Sequence, residues 1–132
     1  MVAINAVSSW LEDSRPELSD LTVVGSWRGA GGCEFVFNDD GTFRASQIPA
    51  SLLGRASTQS NTMSGSGTWS VRAAVNDYSE RKTQVALVFD ALDGFPVPYS
   101  TNLRSDSADG EIVLFWFIGD PDLGRRFVLE RS

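Results

Sequence analysis

The sequence contains no histidine. That removes the commonest general base and the commonest metal ligand. Ser-His-Asp, Cys-His and HExxH sites are therefore impossible within the chain. There is one cysteine, Cys33, which excludes an internal disulfide and any multi-cysteine zinc site. Cys33 falls on a predicted strand beside Phe35 and Phe37, with no basic partner near it in sequence. It reads as a buried, inert thiol. No apolar run approaches the length of a membrane span. Residues 1–5 lack the basic start and long apolar centre of a signal peptide, so cytoplasmic residence is expected. A secreted form with its leader removed would read the same way. Positive charge is scarce too: Lys and Arg total 11 against 17 Asp and Glu, a net charge of -6. Nucleic acid and anionic membrane both need a basic face, so neither is expected as a partner. An acidic surface fits solubility or a basic protein partner.

What is present is a single folded domain of mostly β character. At 132 residues the chain can hold one real core but not two. Seven apolar residues run without a break over 112–118. The run is short, rich in aromatic and β-branched residues and bounded by turn formers, which predicts a strand. Gly119-Asp120-Pro121-Asp122-Leu123-Gly124 is a turn, and residues 125–130 return as a second strand. In the first of these strands both faces are apolar. Ile112, Leu114, Trp116 and Ile118 share one face; Val113, Phe115 and Phe117 share the other. One must look inward and the other needs cover. Periodicity does not say which.

Residues 4–13 carry Ile4, Val7, Trp10 and Leu11 at helical spacing, predicting a short amphipathic helix that is a natural cover for that outer face. Residues 14–18 predict a cap and a second helical turn, with Pro16 tolerated at its start. A strand is predicted over 21–28. Residues 33–37 and 42–46 predict a hairpin around Asn38-Asp39-Asp40-Gly41. Asp39 and Asp40 are read as turn residues, because the calcium-loop spacing is missing. Residues 47–64 are predicted irregular. Gly67-Thr68-Trp69 repeats Gly25-Ser26-Trp27 and is expected to open a strand, as the first does. Further strands are expected over 83–91 and 99–104. Residues 95–98 hold Pro96 and Pro98 and cannot sit in a central strand. A polar turn is expected over 105–110.

This totals eight strands with no long helix between any pair, which excludes parallel βαβ units. The expected fold is all-β: a single eight-stranded antiparallel up-and-down barrel with a short N-terminal helix. Residues 1–20 would be a helical segment packing on the barrel, and 21–132 the barrel domain.

Pro16-Glu17-Leu18 leading into Gly25-Ser26-Trp27, with an arginine on the last strand, resembles the lipocalin and wider calycin pattern. The resemblance runs in outline over residues 16–131. It implies an arginine packed on Trp27, with Arg125, Arg126 and Arg131 as the choices. The family's T-D-Y turn has no counterpart in strand order, since Asn76-Asp77-Tyr78 falls too early. The G-[ST]-W, N-x-D-G-T-F and G-D-P-D features are also similar to those of small uncharacterised bacterial proteins.

Three functions fit these features. In the first, the chain is a non-catalytic binding protein for a small hydrophobic ligand. Trp27, Phe35, Phe37, Phe43, Trp69, Phe89, Tyr99 and Trp116 would line the cup, unless they fill it as core. In the second, a filled barrel serves as an acidic protein-binding module, of inhibitor or immunity type, through Asp39, Asp40, Asp120 and Asp122. In the third, a cyclase or isomerase barrel uses an interior acid or base, for which Glu34 and Tyr99 are the candidates. No cofactor or metal is read from the sequence, and a monomer and a homodimer are both open.

Overall fold

A computed structural model describes residues 16–50, 62–73, 81–118 and 123–132. Eight strands close into one barrel: β1 (Gly25–Arg28), β2 (Glu34–Phe37), β3 (Thr42–Pro49), β4 (Thr62–Ala73), β5 (Lys82–Leu92), β6 (Tyr99–Ala108), β7 (Glu111–Phe117) and β8 (Arg126–Arg131). Each strand pairs antiparallel with its sequence neighbour. β8 returns to β1 through Trp27↔Arg131 and Arg28↔Glu130. The Ser132 N–H continues that ladder to the Ser26 carbonyl. Closure leaves no free strand edge, which is why short strands such as β1 hold their place. Among the described residues no helix is long and apolar enough to cross a membrane.

Among the described residues, helix before the barrel is one turn, α1 (Asp20–Val23). The expected helix over 4–13 lies outside the described residues. The first strand accordingly starts at Gly25 rather than at residue 21. The reason is local. The Ser19 hydroxyl accepts the Thr22 N–H as an N-cap. The freed Val23 carbonyl then takes the Trp27 indole N–H at 2.8 Å. A strand through residues 21–24 would lose both.

Three strands run longer than their sequence suggests. β3 continues past residue 46 through a bulge, where Gln47 adopts φ +52° and Ile48 returns to the core. β6 continues past residue 104, because the polar residues over 105–108 pair cleanly with β7. Its turn shrinks to Asp109-Gly110, both at positive φ, as a two-residue hairpin requires. β4 begins at Thr62, so Gly67 and Trp69 lie within a strand rather than at its start.

Gly67 explains why the Ser-Gly-Ser-Gly stretch belongs in a sheet. It pairs with Phe43 on one side and Phe89 on the other. A Cβ there would lie 1.8 Å from the Val88 carbonyl oxygen. With no side chain between them, the Phe43 and Phe89 rings meet edge to face, centroids 5.0 Å apart.

The two-faced strand β7 turns Leu114 and Trp116 into the core. Val113, Phe115 and Phe117 face out. Yet Val113 and Phe115 are each only 4% exposed. The Arg126 guanidinium lies 4.4 Å from the Phe115 ring centroid, and Arg104 lies over Phe117 at 5.3 Å. Arg126 also pairs with Asp106 at 2.5 Å. Flat guanidiniums shield aromatic faces while keeping their charge in water.

Candidate binding site at the open end of the barrel

Up-and-down winding sorts the connections by end. Residues 16–24, 38–41 and 109–110 lie at one end; residues 29–33, 93–98 and 123–125 lie at the other.

The first end is closed by α1 and the residues before it. The Leu18 N–H donates to the Lys82 carbonyl at 2.7 Å. The Ser105 hydroxyl donates to the Pro16 carbonyl at 2.7 Å. Leu18 and Val23 are buried against the core. Of the three candidate arginines, Arg131 is the one on Trp27, its guanidinium carbon 4.7 Å from the ring centroid. The same guanidinium donates to the Val24 carbonyl at 3.0 Å and to the Thr22 carbonyl. Gly25 makes room: at φ +126°, a Cβ would sit 2.7 Å from Arg131 Nη1. Trp69 plays a matching part at the 38–41 hairpin, donating its indole N–H to the Asn38 carbonyl at 2.9 Å. Both G-[ST]-W tryptophans thus satisfy a turn carbonyl at the closed end.

Above this floor the aromatic residues singled out from the sequence come together. Rings touch in a chain: Trp69 with Phe37, Phe37 with Phe35 and Phe43, Phe35 with Trp116, Phe43 with Phe89, and Phe89 with Tyr99. Centroid separations of 5.0 to 6.3 Å are contact distances for aromatic pairs. Trp27, Phe35, Phe37, Phe43, Trp69, Phe89 and Trp116 are all buried. Tyr99 alone of the predicted set stays partly exposed. It stands where the ring chain meets the open end, with Phe95 edge-on at 5.2 Å.

Among the described residues, the open end differs in what it leaves exposed. Phe95, Tyr99 and Ile118 pack on the core but keep partial exposure. Val97 is 44% exposed and Leu123 64%. Trp116 lies just below and donates its indole N–H to the Thr101 hydroxyl oxygen at 3.2 Å. Phe95, Val97, Thr101 and Leu123 were not among the residues expected to form a site. Two signals pointed to them: Pro96 and Pro98, which keep apolar neighbours out of a strand, and an isolated leucine in a Gly-Asp-Pro-Asp turn.

The other candidate residues are dispersed. Glu34 is not interior: it faces outward between inward-facing neighbours and sits 3.8 Å from Arg28. Glu34 is therefore not the interior acid or base that a cyclase would need, which leaves Tyr99 of the two candidates. Asp39 and Asp40 are turn residues at the closed end. Asp40 accepts the Thr42 hydroxyl at 2.6 Å and the Thr42 N–H at 3.0 Å, which hold its carboxyl below the usual range. Asp120 and Asp122 lie outside the described residues. Cys33 is fully buried, and burial pushes its thiol up to about 11. It is protonated at neutral pH and not poised as a nucleophile. On the outer wall, Glu34, Arg44, Ser46, Ser64 and Ser66 border an open polar groove of about 440 Å³. The Asp93 carboxylate at its rim is already engaged by the Ser64 N–H. No family model, no curated protein and no solved structure matches this chain.

Proposed function

We propose that this chain is a non-catalytic binding protein that holds a small hydrophobic ligand at the open end of a lipocalin-like barrel. The observation that carries the reading is the gathering, among the described residues, of apolar side chains that keep partial or full exposure at one end: Phe95, Val97, Tyr99, Ile118 and Leu123. Exposed apolar groups that cluster mark ligand or partner sites more often than isolated ones do. The Arg131 to Trp27 contact supports the lipocalin-like part of the reading, since the resemblance implies an arginine there. The ring chain makes the site a shallow one, with Tyr99 and Trp116 at its base and the deeper aromatics as packing.

Native mass spectrometry of the protein purified from its own host tests this. A small mass that survives the native run and leaves on denaturation is the expected result. A titration with the apolar dye N-phenyl-1-naphthylamine gives a second readout, with energy transfer from Trp116. No retained mass and no dye binding would overturn the reading. A protein-binding module is the second reading, favoured by the continuous ring packing. It predicts a retained protein mass and no dye uptake.

A further inference from the structure

We infer that the ligand of the open end is an uncharged molecule with a hydrogen-bond acceptor at one end of an apolar body, and that it enters acceptor first. The inference rests on the open end being the binding site. On β6, Tyr99 pairs with Phe89 and Thr101 with Leu87, and both partners are fully buried. Tyr99 and Thr101 therefore belong to the inner face of the wall. Leu103, the next inner residue, is also fully buried. Tyr99 and Thr101 nevertheless keep partial exposure. The inner face of β6 thus keeps some exposure as far as Thr101 and loses it at Leu103.

The Thr101 hydroxyl at that depth keeps a donor to spare. Trp116 Nε1 donates to Thr101 Oγ1, so the threonine oxygen is an acceptor in that bond and its own hydrogen is left over. Among the described residues nothing accepts that hydrogen. The inner face therefore offers one O–H donor at Thr101, while the indole N–H near it is already committed. A carbonyl, ether or hydroxyl oxygen placed there would accept it. An alkane would strand it, and sites built to hydrogen-bond discriminate sharply against analogues that cannot.

Among the described residues, charge is what the base does not supply. The inner face around it is Leu87, Phe89, Leu103, Leu114, Trp116 and Phe127. A carboxylate or ammonium driven to Thr101 would lose its hydration with no counter-ion among the described residues, which is far more costly than burying a neutral oxygen. Arg125 is exposed and precedes β8 at the rim. It could hold a carboxylate only with the apolar chain pointing inward, the reverse orientation.

The test uses the full chain and a set of ten-carbon competitors against N-phenyl-1-naphthylamine at neutral pH: 1-decanol, 2-decanone, decanoate and decylamine. The expected result is displacement by decanol and decanone at concentrations at least about tenfold below those needed for the two ions, a margin one hydrogen bond and an avoided desolvation can supply. Thr101→Val should remove most of the advantage of decanol, and Thr101→Ser, which keeps the hydroxyl, should restore it. Equal or tighter binding of decanoate would overturn the inference. So would a Thr101→Val protein, folded by circular dichroism, with the preference intact. Failure of the dye and all four competitors to bind would instead overturn the binding-site reading beneath it.

Discussion

The two ends of this barrel are built from the same eight strands and solve opposite problems. At the closed end nearly every polar group on view has a partner. Pro16, Thr22, Val23, Val24 and Asn38 all give their carbonyls to a side chain. Trp27 lies under a guanidinium, and Leu18 and Val23 are sealed into the core. Among the described residues the open end shows another pattern: Val97 and Leu123 face water, and the Thr101 hydroxyl hydrogen has no acceptor. Buried polar groups left unsatisfied and apolar groups left exposed both work against stability. Apolar exposure at the open end is shared by Phe95, Val97, Tyr99, Ile118 and Leu123, whereas at the closed end the exceptions are single: Leu21, which is 89% exposed, and the Thr83 hydroxyl.

The comparison can be broken first at Trp27. Trp27→Ala should destabilise the fold by about 3–5 kcal/mol in denaturant melts, as truncation of other buried aromatics does. A loss below about 1 kcal/mol would mean the closed end is not the anchor. Arg131→Met keeps the length of the side chain and removes the guanidinium. It should cost about 1–2 kcal/mol, a moderate figure because Arg131 is itself exposed. A Trp27/Arg131 double-mutant cycle should show that the two losses are not additive.

Thr83 sharpens the contrast from the other direction. It is fully buried near the closed end and its hydroxyl has no partner, an exception to the rule there. Thr83→Val keeps the shape and removes the orphan, so it should raise stability by about 1 kcal/mol. At the open end, Val97→Ser and Leu123→Ser should each change stability by no more than about 0.5 kcal/mol, as exposed substitutions do, while weakening dye binding. A large loss of stability from either would show that the open end is core. Cys33 sets the depth to which the open end is accessible. With its thiol pushed up to about 11, it should resist a thiol reagent at pH 8 until the chain unfolds. Prompt reaction in the native protein would mean that the mouth extends down to β2.

Much of the fold was legible because it follows from short-range pattern. Alternation at Phe35 and Phe37 and at Val85, Leu87 and Phe89 marks strands whose inner faces the structure buries. The Asn-Asp-Asp-Gly turn is closed by its own Asp40 and Thr42. Strand ends were less legible where a tertiary partner overrode local preference. The Ser-Gly-Ser-Gly stretch reads as loop by composition, and becomes strand because Phe43 and Phe89 need the space its glycines leave. Residues 105–108 read as a polar turn, and become strand because Ser105 faces inward to the Pro16 carbonyl while its neighbours face water.

The candidate site was legible in kind more than in place. Most of the aromatic residues named from the sequence meet in one chain of rings, and Tyr99 alone of them keeps partial exposure. Composition cannot distinguish a ring that lines a cup from one that fills it. That difference depends on whether rings from separate strands reach each other across the barrel, and so on closure and register. Similarly, periodicity left both faces of β7 equally apolar. Only the pairing of Leu114 with Leu129 and Trp116 with Phe127 turned one of them inward.

By itself, then, the sequence determined the class of fold, the absence of histidine- or disulfide-based chemistry, and the pool of aromatic residues from which core and site are drawn. These follow from composition and from a two-residue period, which need no knowledge of distant partners. Tertiary structure alone decided which arginine covers Trp27, which face of β7 looks inward, and that Thr101 sits beneath Tyr99 with a free hydroxyl. Those depend on contacts between residues far apart in the chain, such as Ser105 with Pro16 and Arg131 with Val24. A local pattern cannot encode them, because their energies arise only once the barrel has closed.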